Sequence, residues 1–493
     1  MHTPFLPAWR PRLAPMGTRA QTALRSLRQA TLAQIEERLA PALDPQTLQK
    51  PGSGDHSRER IFTLPRTFWC WIWQILQGNT SCREVVRQVQ ALFALQGLPP
   101  VAAGTSAFCQ ARDKLPLNLL ASAFVFSARS AEKRAGTGGP LLQGRPIKVA
   151  DGTTVRLPDT PANRKAYPPA KHQHASPGFP LLKMVALFAL ASGAILARAT
   201  GDQHSHELRL LLSLRTALQP KDVLVADRAY GCYLLAAWLN DLGVDLIARL
   251  ATRRRAVDFR TAHQRLGPQD GLFIWRKPIQ PSPLLEATAW AALPAEITVR
   301  LIRVRLQRSG FRTRELTVVT TLLDAQLYPA TQIIAAYLKR WRMELCLDDL
   351  KTTLGMEMLG CRSPGLVAKE VLVFLTAHNL IRCIMAQAAH AGGADLERLS
   401  FKGALDGLRQ WTLALVQVRG PRQQARKAQL WRTLLATLAA DLLPLRPGRH
   451  EPRAVKKRSK YPHLNKPRHQ YVDRWSRNQR RRAAIAKRRS SLI

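Results

Sequence analysis

Four residues with complementary chemistry recur at helical spacing in one segment of the chain. Tyr337, Arg340, Glu344 and Lys351 are separated by 3, 4 and 7 residues. At roughly 100° per residue they lie within an arc of about 60° on one face of a helix. One acid among aromatic and cationic neighbours suits a site that holds a metal ion and positions phosphates. The ordinary alternative is an i,i+4 ion pair between Arg340 and Glu344.

Two further acids each follow a short apolar segment. Asp151 comes after Pro146-Ile-Lys-Val-Ala150, and Asp227 comes after Val223-Leu-Val-Ala226. Neighbouring core strands deliver such residues to a common sheet edge, although each aspartate alone also suits a turn or a strand-end cap. Three carboxylates that meet repel each other unless cations neutralise them. We therefore predict a site for two divalent cations, Mg²⁺ with Mn²⁺ as the alternative, of the kind that catalyses in-line phosphodiester displacement.

The surrounding sequence predicts the elements that position these acids. Residues 183–191 and 194–200 flank a Ser-Gly turn and predict a hairpin, and a helix, a strand, a helix and a strand follow up to residue 248. Three strands, a helix, a strand, a helix and a strand is the ribonuclease-H-like order, so the fold class is α/β. A long helix is predicted over 331–354 and a buried helix over 366–388.

Composition shifts and breaker residues divide the chain into seven predicted regions. They are an N-terminal helical arm and linker (1–55), a helical DNA-binding domain (56–140), the first part of the ribonuclease-H-like core (141–250), a β-rich insertion (251–315), the second part of the core (316–390), C-terminal helices (391–445) and a basic tail (446–493).

The charge balance points to a polyanionic partner. The chain has 493 residues, with 75 Lys+Arg against 33 Asp+Glu and a formal net charge of +42. Residues 446–493 hold seventeen of the basic residues and two acids, so most of the excess lies outside this tail. Basicity on this scale favours nucleic acid, and double-stranded DNA is the predicted partner.

The sequence disfavours a location in a membrane or in an oxidising compartment. The longest uncharged apolar run, about 14 residues, is shorter than the roughly 20 of a spanning helix, so no membrane is expected. The seven cysteines form no C-x-x-C pair, which favours a reducing interior over a disulfide framework or a zinc module. The expected location is the bacterial cytoplasm, in association with the nucleoid.

The acid-bearing segments resemble the DDE transposases of bacterial insertion sequences, specifically the IS4 group. The group's helix motif, Tyr-x2-Arg-x3-Glu-x6-Lys, is complete in 337–351. The first motif matches as Val149-Ala-Asp-Gly-Thr153, and the second matches as Ala226-Asp-Arg-Ala-Tyr-Gly231. The resemblance extends from about residue 60 to residue 465. The 117 residues between the second and third acids leave room for the β-rich insertion that this group places there.

The resemblance implies a function and assigns roles to residues. Asp151, Asp227 and Glu344 would be the metal-binding catalytic triad of a cut-and-paste transposase that acts as a homodimer on paired inverted repeats, through a hairpin intermediate. Further residues would contact DNA, namely Tyr337, Arg340, Trp341 and Lys351, and we add Arg253 and Arg254 as candidate contacts. Some relatives carry a second tryptophan in the strand before the motif helix, but 317–323 has none.

Two other functions fit the same charge and fold. One is a DNA-binding protein that descends from a transposase and no longer cuts; the other is a structure-specific nuclease that cuts without joining. Asp348, one turn beyond Glu344, is the alternative third acid. The pairs His172/His174 and His204/His206 favour solvated residues over metal ligands, and five tryptophans are expected to pack in the interior: Trp69, Trp71, Trp73, Trp275 and Trp290.

Overall fold

The computed structural model describes most of the chain between the N-terminal arm and the basic tail. The described residues are 39–43, 45–49, 51–57, 60–95, 97–136, 139–169, 178–250, 257–305, 315–417 and 423–444. The predicted arm up to residue 38, Arg253 and Arg254, His172 and His174, and the basic tail lie outside them.

One mixed sheet of nine strands is the centre of the described fold. The strands are β1 (Ile147–Arg156), β2 (Leu181–Ala189), β3 (Ile195–Asp202), β4 (Val223–Ala226), β5 (Asp245–Arg249), β6 (Gln264–Gly267), β7 (Asp270–Arg276), β8 (Glu296–Arg305) and β9 (Glu315–Thr320). Their spatial order is β3-β2-β1-β4-β5-β9-β8-β7-β6. The first five follow the predicted ribonuclease-H-like order, with β2 and β3 antiparallel and β4 and β5 parallel to β1.

The strands of the predicted insertion extend this sheet and do not form a separate one. β9 pairs antiparallel with β5, and β8 and β7 continue outward from β9. An uncovered β5 would be an edge strand with unpaired backbone groups, and β9 covers it. The buried Val299, Leu301 and Val319 then share one hydrophobic cluster with Leu246 of β5. The segment between β5 and β9 therefore packs as part of the core.

Thirteen α-helices surround the sheet in the described chain. They are α1 (Leu64–Leu76), α2 (Cys82–Leu95), α3 (Ser106–Lys114), α4 (Leu117–Ala135), α5 (Pro161–Ala166), α6 (Glu207–Leu212), α7 (Tyr233–Asp241), α8 (Ala287–Ala292), α9 (Ala330–Lys339), α10 (Trp341–Asp348), α11 (Pro364–Gly392), α12 (Phe401–Gln417) and α13 (Gln424–Ala440).

The long helix α11 packs against four other helices. It packs against α4 and α1 on one side and against α13 and α12 on the other. Its length and mean hydropathy of 1.4 would suit a membrane-spanning helix, but 94% of its most apolar window is buried inside the protein. The expected burial of this helix is confirmed. α1 is buried as well, with Trp69, Trp71 and Trp73 in the core as predicted.

The single long helix predicted over 331–354 is wrong in detail. α9 ends at Lys339, α10 begins at Trp341, and residues Asp349–Thr353 form a turn of π-helix. The four motif residues share one face only if the helix keeps 3.6 residues per turn throughout, whereas a π turn takes more residues per turn. The last motif residue, Lys351, lies within that π turn and is therefore turned away from the position that a regular helix would give it.

Candidate active site

The two aspartates lie at equivalent positions on neighbouring parallel strands. β1 and β4 pair in a register that sets Val149 opposite Val225. Asp151 and Asp227 each follow two residues later in the chain. Parallel strands in register deliver such residues to the same edge of the sheet. The predicted common edge is therefore present in the fold.

A tight turn presents Asp227 at the end of β4. The Asp227 Oδ1 accepts a hydrogen bond of 2.7 Å from the Ala229 N–H, which caps the short 3₁₀ turn at Arg228–Tyr230. The chain then passes so close to β5 that a Cβ on Gly231 would lie 2.4 Å from the Arg249 carbonyl oxygen. The glycine of the second motif is thus required by this contact. The strand-end cap and the catalytic placement are compatible, because Oδ2 takes no part in the cap.

Glu344 reaches the same edge from α10 and is linked to it by Arg340. Arg340 Nη2 donates to Glu344 Oε1 at 2.9 Å, and Arg340 Nη1 lies 3.9 Å from Asp151 Oδ2. The i,i+4 ion pair that the sequence offered as the ordinary alternative is therefore present. It does not stand apart from the acids, since the same guanidinium contacts the Asp151 carboxylate across the fold.

The electrostatics of Asp151 show that the acids lie close together. Burial, together with the negative charges of Glu344 and Asp227, raises the pKa of Asp151 to about 6. The Gly152 N–H, which donates to Asp151 Oδ1 at 2.9 Å, and the Arg340 guanidinium act in the opposite direction. A carboxyl group of raised pKa between two further carboxylates is expected where a cation is to be held.

The donor chemistry of these residues fits a divalent cation. Carboxylate oxygens are the ligands that Mg²⁺ and Mn²⁺ prefer. Among the described residues, however, no three acidic, histidine or cysteine side chains converge into one coordination sphere. The Arg340 guanidinium lies between Asp151 and Glu344 and neutralises them in place of a metal. Cation binding would require this arginine to release at least one carboxylate.

The candidate DNA-contacting residues lie in different surroundings. Trp341 is 57% exposed, and Leu345, one turn further along α10, is exposed as well. Tyr337 is buried, and its ring lies beneath the Arg340 guanidinium, 5.9 Å from centroid to Cζ. Lys351 is half-buried on the π turn. Their contact with DNA stays a prediction, as does that of Arg253 and Arg254.

Other residues singled out in the sequence have structural roles. His206 Nδ1 accepts from the Leu208 N–H and caps α6, and His204 lies exposed beside Gln203. Trp290 is buried with its ring edge-on to Tyr233, and Trp275 packs half-buried against the same core cluster. The favoured interpretations of this histidine pair and of these tryptophans agree with the structure. Asp348 is exposed on α10.

The sequence analysis missed two residues at this edge of the sheet. Glu207 begins α6 and approaches Gly152 of the first motif, and Tyr230 of the second motif is buried among the acids. In the sequence Tyr230 is one position of the second motif, and no role is predicted for it. The sole sequence signal for Glu207 is an acid in the first turn of the helix after the third strand.

Comparisons with known proteins relate this chain to transposases. A family model described as a transposase DDE domain matches residues 142–380, a range that contains Asp151, Asp227 and Glu344. In the solved structures, the piggyBac transposase in a synaptic complex with hairpin DNA aligns at 9% identity and a TM-score of 0.39, over 89% of this chain and 87% of that one. The family model therefore makes this chain similar to transposases of the DDE class over the segment that carries the three acids.

A curated relative narrows the class. The transposase InsG for insertion sequence element IS4 of Escherichia coli (strain K12) is 28% identical over 436 residues, which are 87% of this chain and 93% of that protein. Together with the family model, this identity supports an IS4-family DDE transposase. The resemblance of its motifs is thereby confirmed.

Proposed function

We propose that this chain is a metal-dependent DNA transposase that binds the inverted terminal repeats of its own insertion sequence, cuts at their ends and joins them to target DNA. The observation that carries the proposal is the register of β1 and β4, which brings Asp151 and Asp227 to one edge of the sheet. At that edge Arg340 contacts both Asp151 and Glu344. The two alternatives, a DNA-binding protein without catalysis and a nuclease without strand transfer, are outcomes of the test below.

The three acids would hold two divalent cations, Mg²⁺ or Mn²⁺. Bound there, such cations supply activation of a water or 3′-hydroxyl and stabilisation of the leaving oxygen in a phosphodiester displacement. The chain's own contribution is positional. Asp151 and Asp227 come from the rigid sheet and Glu344 from α10, so the scissile phosphate is approached from two elements that share one core.

Arg340 has a second role in this proposal. Its guanidinium neutralises Asp151 and Glu344 in the absence of cations. Once the carboxylates bind cations, the same guanidinium is free to hold a phosphate beside the cut, which suits its planar set of donors. Lys351 would hold a phosphate further along the backbone as a point charge.

Trp341 and Leu345 form the apolar part of the proposed DNA surface. Both side chains are more than half exposed and lie next to Glu344 on α10. Stacking of a base on an aromatic ring contributes about 1–3 kcal/mol. Trp341 would thereby support a distorted base during the hairpin step. We propose that two copies of the chain hold the paired ends, and that the reaction takes place on nucleoid DNA in the bacterial cytoplasm.

The direct test is the Glu344→Gln variant, with Asp348→Asn as its matched control on the same helix. We expect Glu344→Gln to bind a duplex of the element's end with unchanged affinity and to lose at least about 10³-fold of its nicking rate in Mg²⁺, because an amide is a poor ligand for a hard cation. Asp348→Asn should nick and join normally.

The outcomes separate the candidate functions. Nicking by Glu344→Gln together with loss in Asp348→Asn would move the third acid to Asp348. A wild-type protein that binds ends but never nicks would be the non-catalytic DNA-binding protein. Nicking without strand-transfer products would identify the nuclease.

A further inference from the structure

The carboxylate of Glu207 lies against the backbone of the first motif. A Cβ built on Gly152 would lie 3.0 Å from Glu207 Cδ and 3.1 and 3.2 Å from its two oxygens. Such separations are at or below ordinary van der Waals contact, so a methyl group at this position would make the Glu207 carboxylate move by a few tenths of an ångström. The backbone of Gly152 has no positive φ. The glycine is therefore favoured by the neighbouring acid, since its own conformation is one that any residue adopts.

The sheet is open at the point where Glu207 approaches it. Successive residues of a strand point to opposite faces, so Gly152 faces α6 while Asp151 faces α10. The pairing of β1 with β4 ends at Val149, and β4 itself ends at Ala226. Beyond these residues no strand of the described fold lies between β1 and the Asp227 turn. Acids from the two faces can therefore share one ligand at this edge.

The hydroxyl of Tyr230 is a second, independent sign of a missing ligand at the same place. Tyr230 is 98% buried, with 2% of its surface exposed, and its hydroxyl has no hydrogen-bond partner within the described residues. Burial raises its pKa, and the negative charges of Glu207, Asp227 and Asp151, in that order, raise it further. A buried hydroxyl without a partner beside three acids indicates a ligand or ordered water.

Glu207 lies in the first turn of α6, where its charge suits the helix dipole, but among the described residues it has no ionic or hydrogen-bonding partner that would fix its carboxylate. His206, and not Glu207, caps α6, and the Glu207 carboxylate forms no ion pair or side-chain hydrogen bond with the described part of the chain. A half-buried carboxylate that lacks compensation costs free energy, which a bound cation would offset.

We propose that Glu207 is a fourth carboxylate of the candidate active site. Once Arg340 releases Asp151, Glu207 would hold a divalent cation together with Asp151 and Asp227 at the open edge between β1 and β4. The described side chains do not form this coordination sphere by themselves, so binding of the cation would draw them together. This inference rests on the proposed function and adds to it an acid from the opposite face of the sheet. Tyr230 is a positioning residue, whose hydroxyl has no partner within the described residues and would donate a hydrogen bond to one of these acids when the cation is bound.

The first test measures cation binding to the full-length protein. Mn²⁺ is titrated without DNA and the free ion is followed by electron paramagnetic resonance. We expect Glu207→Gln to raise the Mn²⁺ dissociation constant by about 10–100-fold. The matched control is Glu286→Gln, which removes the same charge from an exposed position at the start of α8 and should bind Mn²⁺ as the wild type does.

The outcomes keep this inference separate from the proposed function. Equal Mn²⁺ affinity in Glu207→Gln and wild type would overturn the role of Glu207, even if Glu344→Gln still abolished nicking. Absence of Mn²⁺ binding in the wild type itself would instead overturn the metal-dependent function. Circular dichroism and thermal unfolding of each variant verify that a lost affinity is not a lost fold.

A double-mutant cycle tests the contact with Gly152. Gly152→Ala should weaken Mn²⁺ binding about tenfold in the wild-type background, because the added methyl group displaces the Glu207 carboxylate. In a Glu207→Ala background the same methyl group meets nothing, so the second loss should be absent. Equal losses in both backgrounds would show that Gly152 acts independently of Glu207 and would overturn the proposed geometry.

Discussion

Two arginines on opposite sides of β5 bind carboxylates in contrasting ways. Arg300 of β8 donates from Nε and Nη2 to both oxygens of Asp270, at 2.8 and 2.6 Å, and from Nη1 to the Tyr328 carbonyl at 2.8 Å. Arg340 divides one guanidinium between Glu344 at 2.9 Å and Asp151 at 3.9 Å, and its buried Nε has no partner among the described residues.

The difference separates a structural ion pair from one that can rearrange. A bidentate pair with all donors satisfied holds one geometry and excludes competitors. A guanidinium shared by two acids, at hydrogen-bond distance from only one of them, can release a carboxylate with little loss. We infer that the Arg300 pair stabilises the sheet extension, whereas the Arg340 group is built to exchange its arginine for cations and phosphate.

The largest expected effect is on stability and falls on the Arg300 pair. Asp270→Ala leaves a guanidinium that is 1% exposed without its counter-charge, and should lower the free energy of unfolding by about 3–5 kcal/mol. Asp151→Ala should not lower it and should raise it near neutral pH, because the raised pKa of Asp151 means that its ionised form is disfavoured in the folded protein. Urea unfolding measures both. Equal losses of unfolding free energy in the two variants would mean that the Arg340 group is as structural as the Arg300 pair.

The next effect distinguishes the arginines by activity. Arg340→Lys keeps the charge but loses the planar set of donors, so we expect nicking to fall about 10–100-fold with an unfolding free energy within about 1 kcal/mol of the wild type. Arg300→Lys is the matched substitution and should show the reverse pattern, with lower stability and normal nicking of the folded fraction. If Arg340→Lys instead unfolds the protein, the Arg340 group is structural.

The smallest effect is a pH dependence of the Asp151 group. The pKa of Asp151 is about 6, above its ordinary 3.8, so its protonated form favours folding below about pH 4 and that contribution is lost as the pH rises through 6. Mn²⁺ affinity changes with pH in the opposite direction, because metal binding needs the ionised form of Asp151. That carboxylate lies near Arg340, Glu344 and Asp227. Apparent Mn²⁺ affinity should fall about tenfold per pH unit below 6 and level off above it.

A variant checks the origin of this pH dependence. In Asp151→Asn the remaining Mn²⁺ affinity should lack the inflection near pH 6. An unchanged inflection in this variant would assign the titration to another group. Asp270→Asn, on the structural pair, should leave the inflection in place in whatever fraction of the protein remains folded.

Local patterns were enough to predict the elements and the three acids. Apolar runs that end in Asp151 and Asp227 predicted two strand ends, and the Tyr-Arg-Glu-Lys spacing predicted the motif helix, because strand and helix periodicities are written in neighbouring residues. The hairpin over 183–200 and the buried helix α11 follow from the same local signals.

Long-range packing decided what local patterns could not. The break at Arg340 and the π turn at Lys351 arise where one helix must both pack on the core and reach the acids, and no periodicity indicates them. The joining of β8 and β9 to β5 depends on a pairing of strands more than 60 residues apart. The proposed place of Glu207 in the site depends on the room beside Gly152 and beyond the end of β4, and such room is a property of the folded chain alone.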